Sequence, residues 1–210
     1  MPSRRTPRSA PCHPPQAAVA DAPAMDRARF VFLDRDGTLV HDGGYVHKVE
    51  DYRLLPGVVE ALRSLRDAGF RFAIVTNQSG IGRGLYTEAD FERFQRRLLD
   101  DLEAGSIAIE ATYMCPHLPD ARCTCRKPEP QSLLDARDRF AIDLAASWVI
   151  GDHAVDVRLA ANAGCGGILL LTGHGAEERH KLGDTPVDAI VADLPAAAHH
   201  ILTHERSVRS

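Results

Sequence analysis

No apolar run in the chain approaches the roughly 18 residues that would suggest a membrane span. Nor is there an excess of positive charge. Lys and Arg number 25 against 29 Asp and Glu, a formal net charge of -4. That excludes a general binder of nucleic acid or of anionic membrane surfaces, but not a local basic pocket. Arg4-Arg5 is followed by no apolar h-region, which argues against a secretory signal. A disulfide framework is also missing. Of the five cysteines, three fall between Cys115 and Cys125, a clustering that suits metal ligation and a reducing, cytoplasmic setting. No internal repeat is visible, and no second segment is large enough to stand as a domain of its own.

What remains is one soluble domain with an ordinary balance, 44% hydrophobic and 26% charged. Residues 1–24 carry six prolines and lack periodicity, so they read as a disordered tail in which Cys12 and His13 have no partners. Met25, just before the first strand, is a candidate translation start. The domain is expected over residues 25–204, with a frayed end at 205–210.

The most informative stretch runs from Phe30 to Val40. An apolar run ends in Asp34-Arg35-Asp36-Gly37-Thr38, which reads as a buried strand with two carboxylates at its C-terminal tip. A turn-rich loop follows, His41 to Lys48. Pro56-Gly57 opens a helix with the stripe Val58, Val59, Leu62 and Leu65, stopped at Gly69. Phe70 to Val75 is a second strand, ending at Thr76-Asn77-Gln78-Ser79-Gly80, with a loop on to Gly84. Thr87 to Asp90 caps a helix to about Ala104. Ile109 to Met114 is a third strand, Leu133 to Phe140 a helix, and Trp148 to Ile150 a strand ending at Gly151-Asp152. Val155 to Ala163 is helical. Ile168 to Leu171 and Ala189 to Val191 are later strands, before a last helix, Ala196 to Thr203. This alternation predicts an α/β fold with a doubly wound parallel sheet. In such a sheet the polar tips Asp34/Asp36, Thr76/Asn77 and Asp152 share one edge and converge on one crevice.

Carboxylates gathered on one edge suit a hard divalent cation, Mg²⁺ above all. Thr76 and Asn77 can donate to phosphoryl oxygens, and Lys127 supplies positive charge. The set fits phosphoryl transfer to an aspartate followed by hydrolysis. Cys115-Pro116-His117 and Cys123-Thr124-Cys125 offer a Cys₃His zinc site, although C-x-H with C-x-C departs from the commonest C-x₂₋₄-C spacing. Such a site would clamp the loop carrying Arg126 and Lys127. Cys165 reads as a small buried hydrophobe. Arg83, Arg126 and Lys127 form a candidate anion pocket, because guanidinium forks match phosphate oxygens. Tyr45 and His47 are candidates for lining the same pocket or for simple exposure.

Asp34-Arg35-Asp36-Gly37-Thr38, Thr76, Lys127, and Gly151-Asp152 with Asp156 resemble, in order, the four motifs of the haloacid dehalogenase phosphatase superfamily. The resemblance spans about residues 29–165. It implies a Rossmann-like fold, Asp34 as nucleophile, and Asp36 as the acid that protonates the leaving oxygen and then activates water. Mg²⁺ would be held by the Asp34 side chain, the Asp36 backbone carbonyl and the Asp152 side chain. Thr76 and Lys127 would bind the phosphoryl group, with Asp156 either supporting the metal or capping a helix. The segment Cys-Pro-His-x₅-Cys-x-Cys-Arg-Lys-Pro resembles the zinc-bearing subgroup of heptose bisphosphate and histidinol phosphate phosphatases, which lack a large cap. Gly44-Tyr45-Val46-His47 and Thr76 to Gly84 resemble the heptose branch. That branch often carries lysine where this chain has His153. The expected partner is a small sugar phosphate, acted on by a monomer. Two rivals are a phosphatase for another ester, histidinol phosphate or a nucleic-acid 3′ end, and a zinc-stabilised binding module with an inactive site. Net charge and the zinc loop count against the nucleic-acid version.

Overall fold

β1, Arg29–Leu33, lies near the middle of a six-stranded, wholly parallel sheet. The computed structural model describes residues 27–208. The tail expected over residues 1–24, the start suggested at Met25 and the last two residues of the frayed end lie outside the described residues. The other strands are β2 (Phe70–Asn77), β3 (Ile109–Cys115), β4 (Trp148–Gly151), β5 (Gly166–Leu170) and β6 (Ala189–Val191), in the spatial order β3-β2-β1-β4-β5-β6.

Alternate residues of β1 feed two opposite cores, which is why the strand is apolar throughout. Val31 and Leu33 pack with Phe72, Ile74 and side chains of α1 (Val58–Asp67), α3 (Glu88–Ala104) and α7 (Leu194–Val208). Phe30 and Phe32 pack on the other side with Ala73, Val75 and side chains of α4 (Gln131–Phe140) and α5 (Ala154–Ala163). The sheet is therefore covered on both faces, the doubly wound α/β arrangement, and no cap is inserted among the described residues. The capping box of α3 forms as read: Thr87 accepts from the Asp90 N–H, and the Asp90 carboxylate accepts from the Thr87 N–H.

Register converts sheet order into a site. Leu33 pairs with Ile74 on one side and Ile150 on the other. One residue further, Asp34 leaves β1 with its N–H on the Ile150 carbonyl at 2.9 Å. The tips of β2 and β4 flank it, so Thr76 and Asp152 stand beside Asp34. This is where the chain order reverses across the sheet, the place at which open α/β sheets bind ligands.

Two short elements depart from the sequence reading. Residues expected as loop after β2 form one turn of helix, α2 (Ser79–Gly82). Its two glycines are poor helix formers, and packing overrides that propensity: a Cβ on Gly80 would lie 2.1 Å from Tyr86 Cε1. Beyond β5, residues 172–181 build a second one-turn helix, α6 (Gly175–Glu178), and a 3₁₀ turn, Arg179–Lys181. They carry no apolar periodicity, so nothing in their pattern announced them.

Candidate active site and zinc-ligand cluster

Four side chains at the tips of β1 and β4 and the start of α5, Asp34, Asp152, His153 and Asp156, bring one ligand atom each within 4.8 Å of one another. Asp152 is fully buried. Its Oδ1 faces His153 Nδ1 at 2.8 Å and its Oδ2 accepts the His174 N–H at 2.8 Å. Only glycine leaves room for this carboxylate: at Gly37, where φ is +74°, a Cβ would lie 2.2 Å from Asp152 Oδ2. Asp156 takes the capping role and also meets Lys127. Its Oδ2 caps α5 through the His153 N–H at 3.0 Å, and its Oδ1 pairs with Lys127 Nζ at 2.7 Å.

Lys127 is the internal counter-ion. Its ammonium pairs with Asp34 Oδ1 at 2.8 Å and Asp156 Oδ1 at 2.7 Å and donates to the Val75 carbonyl at 2.8 Å. Burial disfavours its charge, but the two carboxylates outweigh burial and raise its pKa. Burial likewise pushes the Asp156 carboxyl up to about 6, against the lowering effect of Lys127. His153 is raised to about 9: burial opposes its charge, and the hydrogen bond and charge of Asp152 overcome it. Three carboxylates against one buried lysine and one histidine leave an oxygen-rich, anionic donor set. Its chemistry fits a hard dication such as Mg²⁺. A positively charged His153 can act here as the lysine common in the resembling branch would.

Asp36 lines the same cleft. Arg35, fully buried, grips its carboxylate with Nε and Nη2, the latter 2.8 Å from Oδ2. The guanidinium also lies over the rings of Phe91 and Phe94, 5.1 and 4.7 Å from their centroids. Burial raises the Asp36 pKa most, the Arg35 charge lowers it, and Asp34 adds to the rise. The net elevation suits a carboxyl that must carry a proton at some stage.

The second cluster joins Cys115 at the end of β3 to His117, Cys123 and Cys125. Cys115 Sγ is 3.6 Å from His117 Nδ1 and 3.6 Å from Cys123 Sγ, and His117 Nδ1 is 3.3 Å from Cys125 Sγ. Around zinc, bond lengths of about 2.3 Å to sulfur and about 2.0 Å to nitrogen give tetrahedral edges of roughly 3.5–3.8 Å. The four atoms therefore already stand near the corners of a zinc tetrahedron, and the unusual C-x-H/C-x-C spacing does not prevent it.

This loop delivers two basic residues to the cleft. Arg126 lines it and donates to the His117 carbonyl at 3.2 Å, and Lys127 enters the carboxylate cluster. Asn77 also lines the cleft, but its amide is spent on the loop. Oδ1 accepts the Lys127 N–H at 3.1 Å and Nδ2 donates to the Lys127 carbonyl at 3.3 Å. These two bonds tie Asn77 to the backbone of Lys127. Arg83, expected in the anion pocket, is exposed at the end of α2 and is not among the residues lining the cleft. Thr76 is in place, with Oγ1 accepting from Gln78 Nε2 at 2.8 Å. Tyr45 lines the cleft; His47 instead stacks on Tyr86, with ring centroids 4.7 Å apart.

The cleft measures about 530 Å³, within the range of small-molecule sites. Sequence reading missed several of its residues. Gln78 and Tyr86 stood inside a recognised motif and its flank without an assigned role. Arg158, His174, Glu178 and Lys181 come from α5 and the unannounced α6 region. His174 Nε2 lies 3.3 Å from Asp42 Oδ2, tying that region to the loop after β1.

A strand-tip carboxylate, a buried lysine and a metal-type acidic cluster at the switch point of a parallel sheet have counterparts among known proteins. Residues 31–114 match the haloacid dehalogenase-like hydrolase family, and residues 124–197 match the family described as HAD-hydrolase-like. The chain is a haloacid dehalogenase-like hydrolase. It is 40% identical over 176 residues to D-glycero-beta-D-manno-heptose-1,7-bisphosphate 7-phosphatase of Escherichia coli strain K12, covering 80% of this chain and 92% of that protein. It is also 40% identical over 188 residues to D-glycero-D-manno-heptose-1,7-bisphosphate 7-phosphatase of Thermosynechococcus vestitus, covering 83% and 95%. Among solved structures, D,D-heptose 1,7-bisphosphate phosphatase from B. bronchiseptica, complexed with magnesium and phosphate, aligns with TM-score 0.77 and 34% identity. That match covers 84% of this chain and 99% of the other. At this identity and coverage, the chain belongs to the family of these heptose bisphosphate phosphatases.

Proposed function

We propose that this protein is a Mg²⁺-dependent phosphatase that removes the C7 phosphate of D-glycero-D-manno-heptose 1,7-bisphosphate through an aspartyl-phosphate on Asp34. One geometric observation carries the reaction type: Asp34 stands at the β1 tip with Lys127 Nζ 2.8 Å from Oδ1 and a buried acidic cluster beside it. The substrate is supported by 40% identity to an enzyme named for it.

In this reading Asp34 attacks phosphorus as the bond from phosphorus to the sugar oxygen breaks. Asp36 gives its proton to that departing oxygen. It then takes a proton from water, which attacks the acyl phosphate to release inorganic phosphate and restore Asp34. Oδ1 of Asp34 is engaged by Lys127 and by the Arg35 N–H at 2.8 Å, which leaves Oδ2 for attack. Thr76 and Lys127 hold phosphoryl oxygens. Asp34, Asp152 and the Asp36 backbone carbonyl would hold Mg²⁺, which would supply charge neutralisation at the phosphoryl group. Arg126, fixed by the zinc loop, is the guanidinium placed to meet a second phosphate.

Relative rates decide the substrate. We expect kcat/KM for the heptose bisphosphate to exceed that for histidinol phosphate by at least about 100-fold, on the scale of a well-recognised second phosphate. Assaying both heptose anomers beside histidinol phosphate checks this, and faster turnover of histidinol phosphate overturns the assignment.

Zinc is the second metal in the proposal, in a closed structural role. In Cys12→Ser protein, zinc should stand near one per chain by elemental analysis. Three thiols, Cys115, Cys123 and Cys125, should become rapidly reactive only after chelation. Cys165 stays slow in both states, because burial pushes its thiol up to about 12. Metal-free protein with three fast thiols as purified would defeat the zinc assignment. A cytoplasmic location accords with reduced zinc-binding cysteines. In this reading the protein acts as a monomer. No helix among the described residues is long and apolar enough to cross a membrane.

A further inference from the structure

Gln78 is 3% exposed, and every hydrogen-bonding position of its amide is engaged. Nε2 donates to Asp36 Oδ2 at 2.8 Å and to Thr76 Oγ1 at 2.8 Å. Oε1 accepts from Arg35 Nη2 at 3.3 Å and from the Tyr86 hydroxyl. A guanidinium has donors and no acceptor, so Oε1 must face Arg35 and the amide cannot be turned over. Tyr86 is itself held firmly. It is 6% exposed, backed by the His47 ring, and seated over Gly80, where any side chain would collide with it.

This one amide has two consequences. Thr76 accepts at Oγ1, which leaves its own hydrogen to donate to a phosphoryl oxygen. Asp36, already gripped by Arg35, gains a further donor on Oδ2, while its side chain keeps 20% exposure toward the cleft it lines. A buried amide with all four positions engaged is held stiffly, because any displacement strands a polar group.

We infer that Gln78, braced by Arg35 and Tyr86, is a positioning residue that fixes the separation between the phosphoryl subsite at Thr76 and the proton-transferring carboxylate of Asp36. The inference rests on the phosphatase reading above. Its signature is a dependence on leaving group. The alkoxide leaving an alkyl phosphate needs the Asp36 proton; p-nitrophenolate, a stable anion, leaves without it. In the step that forms the aspartyl-phosphate, which kcat/KM reports, a displaced Asp36 therefore slows alkyl esters selectively, whereas a general loosening of the site or of Thr76 slows both.

Gln78→Leu should lower kcat/KM on heptose bisphosphate by about 10- to 100-fold, a part of the range for general-acid catalysis. Its kcat/KM on p-nitrophenyl phosphate should change by less than about threefold. Tyr86→Phe keeps the ring and removes only the hydroxyl brace. It should show the same selectivity at smaller size, and it carries the test should Gln78→Leu fail to fold. Equal slowing of both esters, or no slowing of the alkyl ester, overturns the inference. Wild-type protein inactive on both esters overturns the phosphatase reading and the inference with it, so the two failures are told apart by the unmutated protein.

Discussion

Asp34→Asn protein is expected to fold as wild type and to lose turnover by at least about 10⁴-fold on every phosphate ester, the scale seen when a covalent nucleophile is removed. The substitution is nearly isosteric, and an amide oxygen can still accept the Arg35 N–H that Asp34 Oδ1 now takes at 2.8 Å. Lys127 keeps Asp156 as its anionic partner at 2.7 Å, so the buried ammonium is not stranded. What disappears is the anionic oxygen that forms the bond to phosphorus, and with it one carboxylate of the metal-type cluster. Two measurements separate chemistry from fold. Circular dichroism and thermal unfolding should stay close to wild type. Acid-quenched wild-type protein should carry phosphate on the peptide containing Asp34, and the variant none. Turnover equal to wild type in the variant would remove Asp34 from the nucleophile role.

The parts of this site that were readable from sequence are those whose chemistry is local. Asp34-x-Asp36-Gly37 follows an apolar strand directly, and Gly37 is needed because Asp152 from another strand presses against it. The cysteine and histidine pairs announce themselves by residue type at short spacing. The parallel order follows from strands alternating with helices, so the convergence of Asp34, Thr76 and Asp152 could be argued before any coordinates. What stayed hidden depends on contacts between distant residues. Asn77 resembles a phosphate donor until its amide is seen on the Lys127 backbone, 50 residues away in sequence. Arg35 looks like a spacer between two aspartates, yet it pairs with one of them beneath Phe91 and Phe94. Arg83 lies in a motif that points toward the cleft, but its own side chain is exposed where the short helix α2 ends. The wall from His174 to Lys181 has neither periodicity nor motif, and only its contacts, such as Ala154 N–H to Glu178 Oε2 at 3.1 Å, show that it closes the cleft beside α5.

Lys127→Met tests the electrostatic arrangement at its centre. The lysine is 4% exposed, pairs with Asp34 and Asp156, and donates to the Val75 carbonyl. Methionine fills most of the stem volume and supplies no charge, so the variant isolates the ammonium. Removing one member of a buried ion pair leaves the other uncompensated, at a cost of about 3–5 kcal/mol. Here two carboxylates are left, with Asp152 beside them. Burial already lifts the Asp156 carboxyl to about 6 against the pull of Lys127. Without that pull it rises further, and near neutral pH Asp156 should take up a proton rather than remain ionised. A dication at the same cluster restores part of the lost positive charge. The loss of unfolding free energy should therefore be larger in Mg²⁺-free buffer than in millimolar Mg²⁺, a difference that a simple packing defect would not produce. Turnover should fall by about 10³-fold, because the lysine also holds a phosphoryl oxygen where negative charge develops. Denaturant unfolding with and without Mg²⁺ measures the first effect, and steady-state kinetics the second. A stability loss below about 1 kcal/mol, the same in both buffers, would mean that Lys127 is not the counter-ion of this site.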